Sequence, residues 1–316
     1  DLIALLARHG GRCIVPVSGG KDSTYQVLKL QRDFGAEVLM VNAATDYLTP
    51  LGRSNLDNLK RFGDLIEVTP NVEVRKALCR IGLFEVGDLS WPEHNVIWTV
   101  PFRMALQSEY SLVIYGEAPQ NEYGGPAGSA DEHRLDQRWR SEFGGFLGMR
   151  TADVVGRDGI TERDMYWYTW PNGAENVSAH WLGRYLPWNG AANSLYAGAF
   201  GFRSGSVTVE TSLGTWENLD NYLTIPRDWL RFVKYGYSRA TDIACNLIRR
   251  GWMSRDDGLA LSRDRERFPW TSLGKPLDEV LDYLGLTVTS YQAACRRFTN
   301  HAIFSGEESD GTPVFA

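Results

Sequence analysis

Paired cysteines are the first thing this chain lacks. Its four cysteines (Cys13, Cys79, Cys245 and Cys295) stand far apart, with no C-x-x-C among them. That excludes a zinc ribbon, an iron–sulfur cluster or a redox pair built within the chain, and the four read as isolated thiols. The five histidines (His9, His94, His133, His180 and His301) are equally dispersed. They offer no metal-binding spacing, and each reads as a lone surface or core residue. No Ser/His/Asp arrangement is legible and no cysteine has a recognisable catalytic neighbour, so hydrolysis of glutamine by this chain is not expected. Positive charge is also short: the formal net charge is −6. No global basic field recommends nucleic acid as a partner. No apolar stretch approaches the roughly 20 residues that span a bilayer, and no signal peptide is visible. A cytoplasmic location without a membrane partner is the expectation. Internal repeats and low-complexity tracts are missing as well.

What is present begins at Ser18-Gly19-Gly20-Lys21-Asp22-Ser23, directly after the apolar run Cys13-Ile14-Val15-Pro16-Val17. A buried strand running into a Gly-rich turn and then a helix makes an anion cradle. Gly19 and Gly20 let the backbone come close to an oxyanion, and the uncommitted N–H groups of the next helix's first turn point at it. Lys21 adds a point charge, and the Ser18 and Ser23 hydroxyls can donate to oxyanion oxygens. The spacing is not that of a Walker A loop, which needs four residues between its first Gly and the Gly-Lys pair. The plain alternative is a Gly-rich strand–helix turn that holds nothing.

With 316 residues, 43% hydrophobic and 23% charged, the chain has room for one large domain or two smaller ones. Hydrophobic periodicity predicts helices over 2–9, 24–34, 54–62 and 71–81, and strands over 13–17, 37–42, 65–68 and 111–115. Short apolar strands separated by helices imply an α/β fold with a doubly wound, mostly parallel sheet. Ligands of such sheets sit at the carboxyl ends of the strands. That rule puts residues 18–23, 42–46 and 116–122 on one rim, with Asn42 and Gly116 at its edge. Residues 124–165 are Gly- and charge-rich and read as a long insertion or flexible lid, with Gly124 and Gly125 as its hinge. An aromatic-dense stretch follows, from Tyr166 through Trp167, Tyr168 and Trp170 to Trp181, Tyr185 and Trp188. It reads either as a packed core or dimer face, or as an exposed surface for a sugar or partner. Residues 226–300 look helical. The expected organisation is an α/β domain over 1–123, an insertion and aromatic-rich region over 124–225, and a mainly helical C-terminal region over 226–316.

The loop at residues 18–23 resembles the PP-loop of ATP pyrophosphatases. More of the chain resembles one PP-loop group, the N-acetyl sugar amidotransferases of bacterial surface-polysaccharide biosynthesis. The resemblance rests on Ile14 through Gln26, on Leu51-Gly52-Arg53-x-Asn55-x-x-Asn58-Leu59-Lys60, and on Gly116-Glu117-x-Pro119-Gln120-Asn121-Glu122-Tyr123-Gly124-Gly125. It continues in Glu217-Asn218-Leu219-Asp220-Asn221 and in Lys234-Tyr235-Gly236-Tyr237-x-Arg239-Ala240-Thr241-Asp242. Members of that family carry a Cys-rich, zinc-binding segment ahead of the loop. It is absent here, and the chain opens at Asp1 in what reads as the middle of a helix, so either sequence continues upstream or this branch lacks the segment. The wording Asn42-Ala43-Ala44-Thr45-Asp46 also departs from the family's and bears on the adenine pocket.

The resemblance implies a fold of the PP-loop/adenine nucleotide hydrolase type, with ATP and Mg²⁺ as cofactors. It implies a reaction in which ATP activates an amide carbonyl oxygen, pyrophosphate leaves, and ammonia from a glutaminase partner displaces AMP. An N-acetyl group on a nucleotide-linked sugar would become an acetamidino group. Backbone N–H groups, Lys21 and a magnesium ion suit the negative charge that develops during attack at the α-phosphorus. Asp22 is assigned to the metal or to orienting the loop, with helix N-capping as its structural alternative. Glu117 and Glu122 could orient ammonia, take its surplus proton or hold a second metal ion, or could be an incidental acidic pair on a solvated loop. Gln120 and Asn121 suit sugar hydroxyls or adenine. Lys234, Arg239 and Asp242 suit the diphosphate of a sugar nucleotide, or form an intrahelical ion-pair cluster. Asn218, Asp220 and Asn221 suit hexose hydroxyls, or a turn. Two other functions stay open: tRNA modification by a PP-loop enzyme, and a non-catalytic nucleotide-binding scaffold for a glutaminase complex. A homo-oligomer is compatible with all three.

Overall fold

A computed structural model describes residues 1–43, 46–119, 122 and 135–316. The chain opens with α1 (Leu2–Arg8), β1 (Arg12–Pro16), α2 (Lys21–Phe34), β2 (Glu37–Ala43), α3 (Pro50–Leu59), β3 (Leu65–Val68) and α4 (Val72–Val86). It continues through α5 (Trp91–Gln107), β4 (Leu112–Tyr115), α6 (Gln137–Phe143), β5 (Ser178–Trp181) and α7 (Gly190–Gly198). Local chemistry sets the ends. Gly35 closes α2 in the left-handed region at φ 64°, and the Thr49 hydroxyl caps α3 by accepting from the Gly52 N–H at 2.8 Å, just ahead of Pro50.

The five strands form one parallel sheet in the order β3-β2-β1-β4-β5. Side chains alternate across it, as the two-residue period of a strand requires. Val15, Met40 and Ile114 join one apolar layer with Leu5 of α1, Val27 and Leu30 of α2 and Leu56 of α3. Ile14, Val41 and Val113 join the opposite layer with Leu78 of α4 and Val96, Trp98 and Val100 of α5. The sheet is therefore doubly wound, an α/β arrangement consistent with the PP-loop type. Its order reverses between β1 and β4, and the crevice beyond the carboxyl ends of strands at such a switch point is where ligands bind.

The C-terminal part is mainly helical: α8 (Thr224–Tyr235), α9 (Arg239–Arg249), α10 (Arg255–Arg265), α11 (Leu277–Asp282) and α12 (Val288–Phe298). Two small antiparallel hairpins interrupt it, β6 (Thr271–Ser272) with β7 (Lys275–Pro276) and β8 (Phe304–Glu307) with β9 (Pro313–Phe315). Trp229, Leu230, Leu281 and Tyr291 pack with Cys79 and Leu83 of α4, so these helices share a core with the sheet's own helical layer.

Three features differ from expectation. Helix α5 has no predicted counterpart, because Trp91, Val96, Val100 and Phe102 are all fully buried and no polar stripe marks a helical period. Strand β5 lies inside the aromatic-dense stretch, where Tyr168, Trp181 and Trp188 are core residues while Tyr166 stays 44% exposed. Within residues 124–165, the described part from Leu135 onward is packed rather than detached: Leu135, Trp139, Phe146, Met149, Val154 and Ile160 all belong to the layer over α5. Among the described residues, no helix is long and apolar enough to cross a membrane.

Candidate active site

The carboxyl ends of β1, β2 and β4 open into a cleft of about 460 Å³. Its near wall is the Ser18 to Ser23 loop. Gly19 sits at φ +85°, and a Cβ there would lie 2.6 Å from the Leu56 backbone nitrogen, so only glycine fits against α3. Gly20 provides no side-chain cap for α2. The first-turn N–H groups of this 14-residue helix are thus left for an anion in the cleft. The Ser18 hydroxyl accepts from the Gly20 N–H at 3.3 Å, while the Ser23 and Thr24 hydroxyls donate back to the Gly20 carbonyl at 3.1 and 2.9 Å. Ser23, expected to donate to oxyanion oxygens, instead braces the loop.

Lys21 is 5% exposed. Its Nζ lies 2.6 Å from Asp22 and 2.7 Å from Glu217, and a Cβ on Gly190 at the start of α7 would come within 2.9 Å of its Cε. Burial works against the Lys21 charge, but the two carboxylates outweigh it and hold the amine protonated. Glu217 is the mirror case: burial pushes its carboxyl up, and Lys21 and Arg239 bring it below the ordinary range. Asp22 also accepts from Asn193 of α7 at 2.8 Å. That contact, rather than N-capping, is its structural role. Among the described residues no group of three or more His, Cys, Asp or Glu is placed to hold a metal ion. A magnesium ion with Asp22 as its carboxylate would draw its other ligands from phosphate and water, as this metal commonly does.

The other sequence-predicted residues divide. Gly116 and Glu117 line the cleft, and a Cβ on Gly116 would stand 3.1 Å from the Trp188 ring. Asn42 is 2% exposed, and its amide donates to the Val17 carbonyl at 2.6 Å, tying β2 to the loop's entrance. Asn218, Asp220, Asn221 and Arg239 line the far wall. Asn218, at φ 54°, donates to the buried Asp228 at 2.6 Å, and Asn221 donates to the Asp46 carbonyl at 2.9 Å. Burial raises the Asp220 carboxyl, and its Cα would be 2.5 Å from a Cβ on Gly52, so α3 and this segment meet backbone to backbone. Three expected residues do not line the cleft. Lys234 reaches the Val86 carbonyl at the end of α4 at 3.4 Å, and Asp242 is clamped by the Arg231 guanidinium with one contact at 3.0 Å. Glu122 accepts at its carbonyl from Arg249 at 3.3 Å, and burial, against Arg250 and Arg249, raises its carboxyl. Gln120, Asn121, Gly124 and Gly125 lie outside the described residues.

Several cleft residues had no assigned role in the sequence: Glu217, Arg227, and a group on the floor made by Arg75, Glu93 and His94; nor had Asn193, which reaches Asp22 from α7. Arg75 is 1% exposed and bridges Glu93 and Asp46, the latter at 2.5 Å. Only Glu217 carried a signal, its place beside Asn218-Leu219-Asp220-Asn221. The others meet through contacts that no local spacing announces.

A comparison with curated proteins found no match for this chain. Residues 215–313, which supply Glu217, Arg227 and Arg239, match the family model described as LPS biosynthesis protein WbpG-like, C-terminal domain, and this similarity supports a surface-polysaccharide biosynthesis family for the chain.

Proposed function

We propose that the chain is an ATP-dependent amidotransferase that converts the N-acetyl group of a nucleotide-linked sugar into an acetamidino group, using ammonia from a glutaminase partner. The observation that carries this reading is the buried Lys21 at the uncapped N-terminus of α2, inside the same cleft that Glu217, Arg227 and Arg239 of the matched segment line. The first-turn N–H groups and Lys21 stabilise the charge that builds on the leaving pyrophosphate as the amide oxygen attacks the α-phosphorus. A magnesium ion at Asp22 would add charge neutralisation between phosphate oxygens. Arg227 and Arg239 on the far wall suit the diphosphate of the sugar nucleotide, and Asn218 and Asn221 fix the backbone of that wall.

Three of the four cysteines are buried and poor candidates for a glutaminase nucleophile, while Cys245 on α9 is exposed. Burial pushes the Cys13 thiol up to about 12, Cys79 to about 11 and Cys295 to about 12, which withholds the thiolate that glutamine hydrolysis needs.

The test is ATP turnover with Mg²⁺, ammonium chloride and a panel of UDP-linked N-acetylhexosamines, with nucleotide products resolved. The expected result is sugar-dependent AMP and pyrophosphate, with the sugar about 1 Da lighter because NH replaces O. ADP and phosphate instead would overturn the reading.

A further inference from the structure

The floor of the cleft is one face of α5. Glu93, His94, Ile97, Trp98 and Pro101 all line it, at the spacing that keeps side chains on one side of a helix. Among them His94 is built in from several sides. Asp88, in the turn between α4 and α5, fixes the entry to the helix by accepting from the Ser90 N–H at 2.7 Å through one oxygen. Its other oxygen stands 3.3 Å from His94 Nδ1. Gly145, at φ +85°, lies against the ring, where a Cβ would come within 2.6 Å of Nδ1. That turn is itself held by the Trp98 indole, which donates to the Gly144 carbonyl at 3.0 Å. The Asp88 carboxylate faces Nδ1 across this 3.3 Å gap, so Nε2 is the ring nitrogen turned away from Asp88 and the one offered to a substrate proton.

We propose that His94, oriented by Asp88, is the proton acceptor for the nitrogen that attacks the activated amide carbon. This inference rests on the amidotransferase reading. In the step, a C–N bond forms between ammonia and the acetamido carbon, and one proton passes from that nitrogen to His94 Nε2. The C–O bond to AMP then breaks, and its electron pair leaves on the phosphate oxygen. The imidazolium returns the proton to the product amidine, which is the stronger base. The charged groups around the imidazole are Asp88 at Nδ1, Glu93 beside it on α5 with its partner Arg75 of α4, and Lys234 of α8 acting on Asp88. The wall beyond is apolar, from Trp98, Tyr115 and Trp181, which keeps water from competing for the activated carbon.

The experiment separates the two halves of the reaction, using the UDP-linked N-acetylhexosamine that best supports pyrophosphate release by the wild-type chain. His94→Gln is expected to keep sugar-dependent pyrophosphate release in the first turnover without ammonia. With ammonium chloride it should lose about 100-fold in amidine formation near neutral pH, the scale of a missing general base. Asp88→Asn should fall between the two in amidine formation and also keep pyrophosphate release. Equal amidine formation by His94→Gln and the wild type near neutral pH would overturn the proposal. So would a parallel loss of both halves, the mark of a merely structural histidine. A wild type that releases no pyrophosphate with any sugar would overturn the amidotransferase reading, and this step with it.

Discussion

At the scale of single residues, the site turns on a buried lysine between two carboxylates. Replacing Lys21 by Met leaves Asp22 and Glu217 facing one another without the cation, and breaking such a buried pair costs about 3 kcal/mol. Chemical denaturation should show that loss, and ATP turnover should fall by about 100-fold, as for other removed anion donors. Adding Glu217→Gln should restore most of the stability and none of the turnover. A double variant as unstable as the single one would mean that the pair is not the cause. Acid provides a second check on Glu217. Burial pushes its carboxyl up, but Lys21 and Arg239 hold it lower, so the unfolded chain takes its proton more readily than the folded one. Its contribution is complete above the ordinary glutamate range of about 4.3 and disappears as pH falls through the lower, folded value. The melting temperature of Glu217→Gln should therefore depend less steeply on pH below about 4.3 than that of the wild type. The loop residues were legible because six adjacent positions carry their own chemistry. Glu217 and His94 were not, since a carboxylate near a lysine, or an imidazole near an aspartate, takes its meaning from a partner that the fold brings in.

Elements show the same division. Gly19 and Gly198 are both glycines beside helices, with opposite expected responses to alanine. At Gly19, φ +85° and the 2.6 Å approach to Leu56 make Gly19→Ala strained, by about 1–3 kcal/mol for the backbone alone. Moving the loop off α3 should also weaken ATP binding by about tenfold in calorimetry. At Gly198, the last residue of α7, nothing lies within 4 Å of an added Cβ, and Gly198→Ala should stabilise the chain by about 0.5 kcal/mol. If both substitutions left the melting temperature unchanged, the close contact of loop and α3 would be wrong. Helices α2, α3 and α4 were readable because each has one wet side and a distinct start or stop. Helix α5 is buried nearly all round and carries Pro92 and Pro101, so it shows neither a period nor the absence of breakers. Strand β5 is four residues long, Ser-Ala-His-Trp, too short to alternate visibly. The sequence thus exposed the near wall of the cleft and hid its floor.

For the molecule as a whole, the doubly wound sheet and the helical C-terminal part share cores rather than merely touching. Cys79 and Leu83 of α4 are buried with Trp229, Leu281 and Tyr291, and Gly52 of α3 meets Asp220 backbone to backbone. Unfolding in urea should accordingly follow a single transition, with tryptophan fluorescence and far-ultraviolet circular dichroism changing at the same midpoint. Two separated midpoints would show that the C-terminal helices unfold alone. Fold class was open to sequence reasoning because strand and helix periods repeat along the first third of the chain. The far wall was not, because it depends on residues brought back across the switch point from the last third. That return has a consequence for how the protein is made. Asp22 waits for Asn193, 171 residues later, and Lys21 waits longer still, for Glu217. At about 5–20 residues per second, a nascent chain has its Ser18–Ser23 loop for roughly 10–30 s before the partners that steady it exist. The near wall of the cleft is in this way made well before the far wall that completes it.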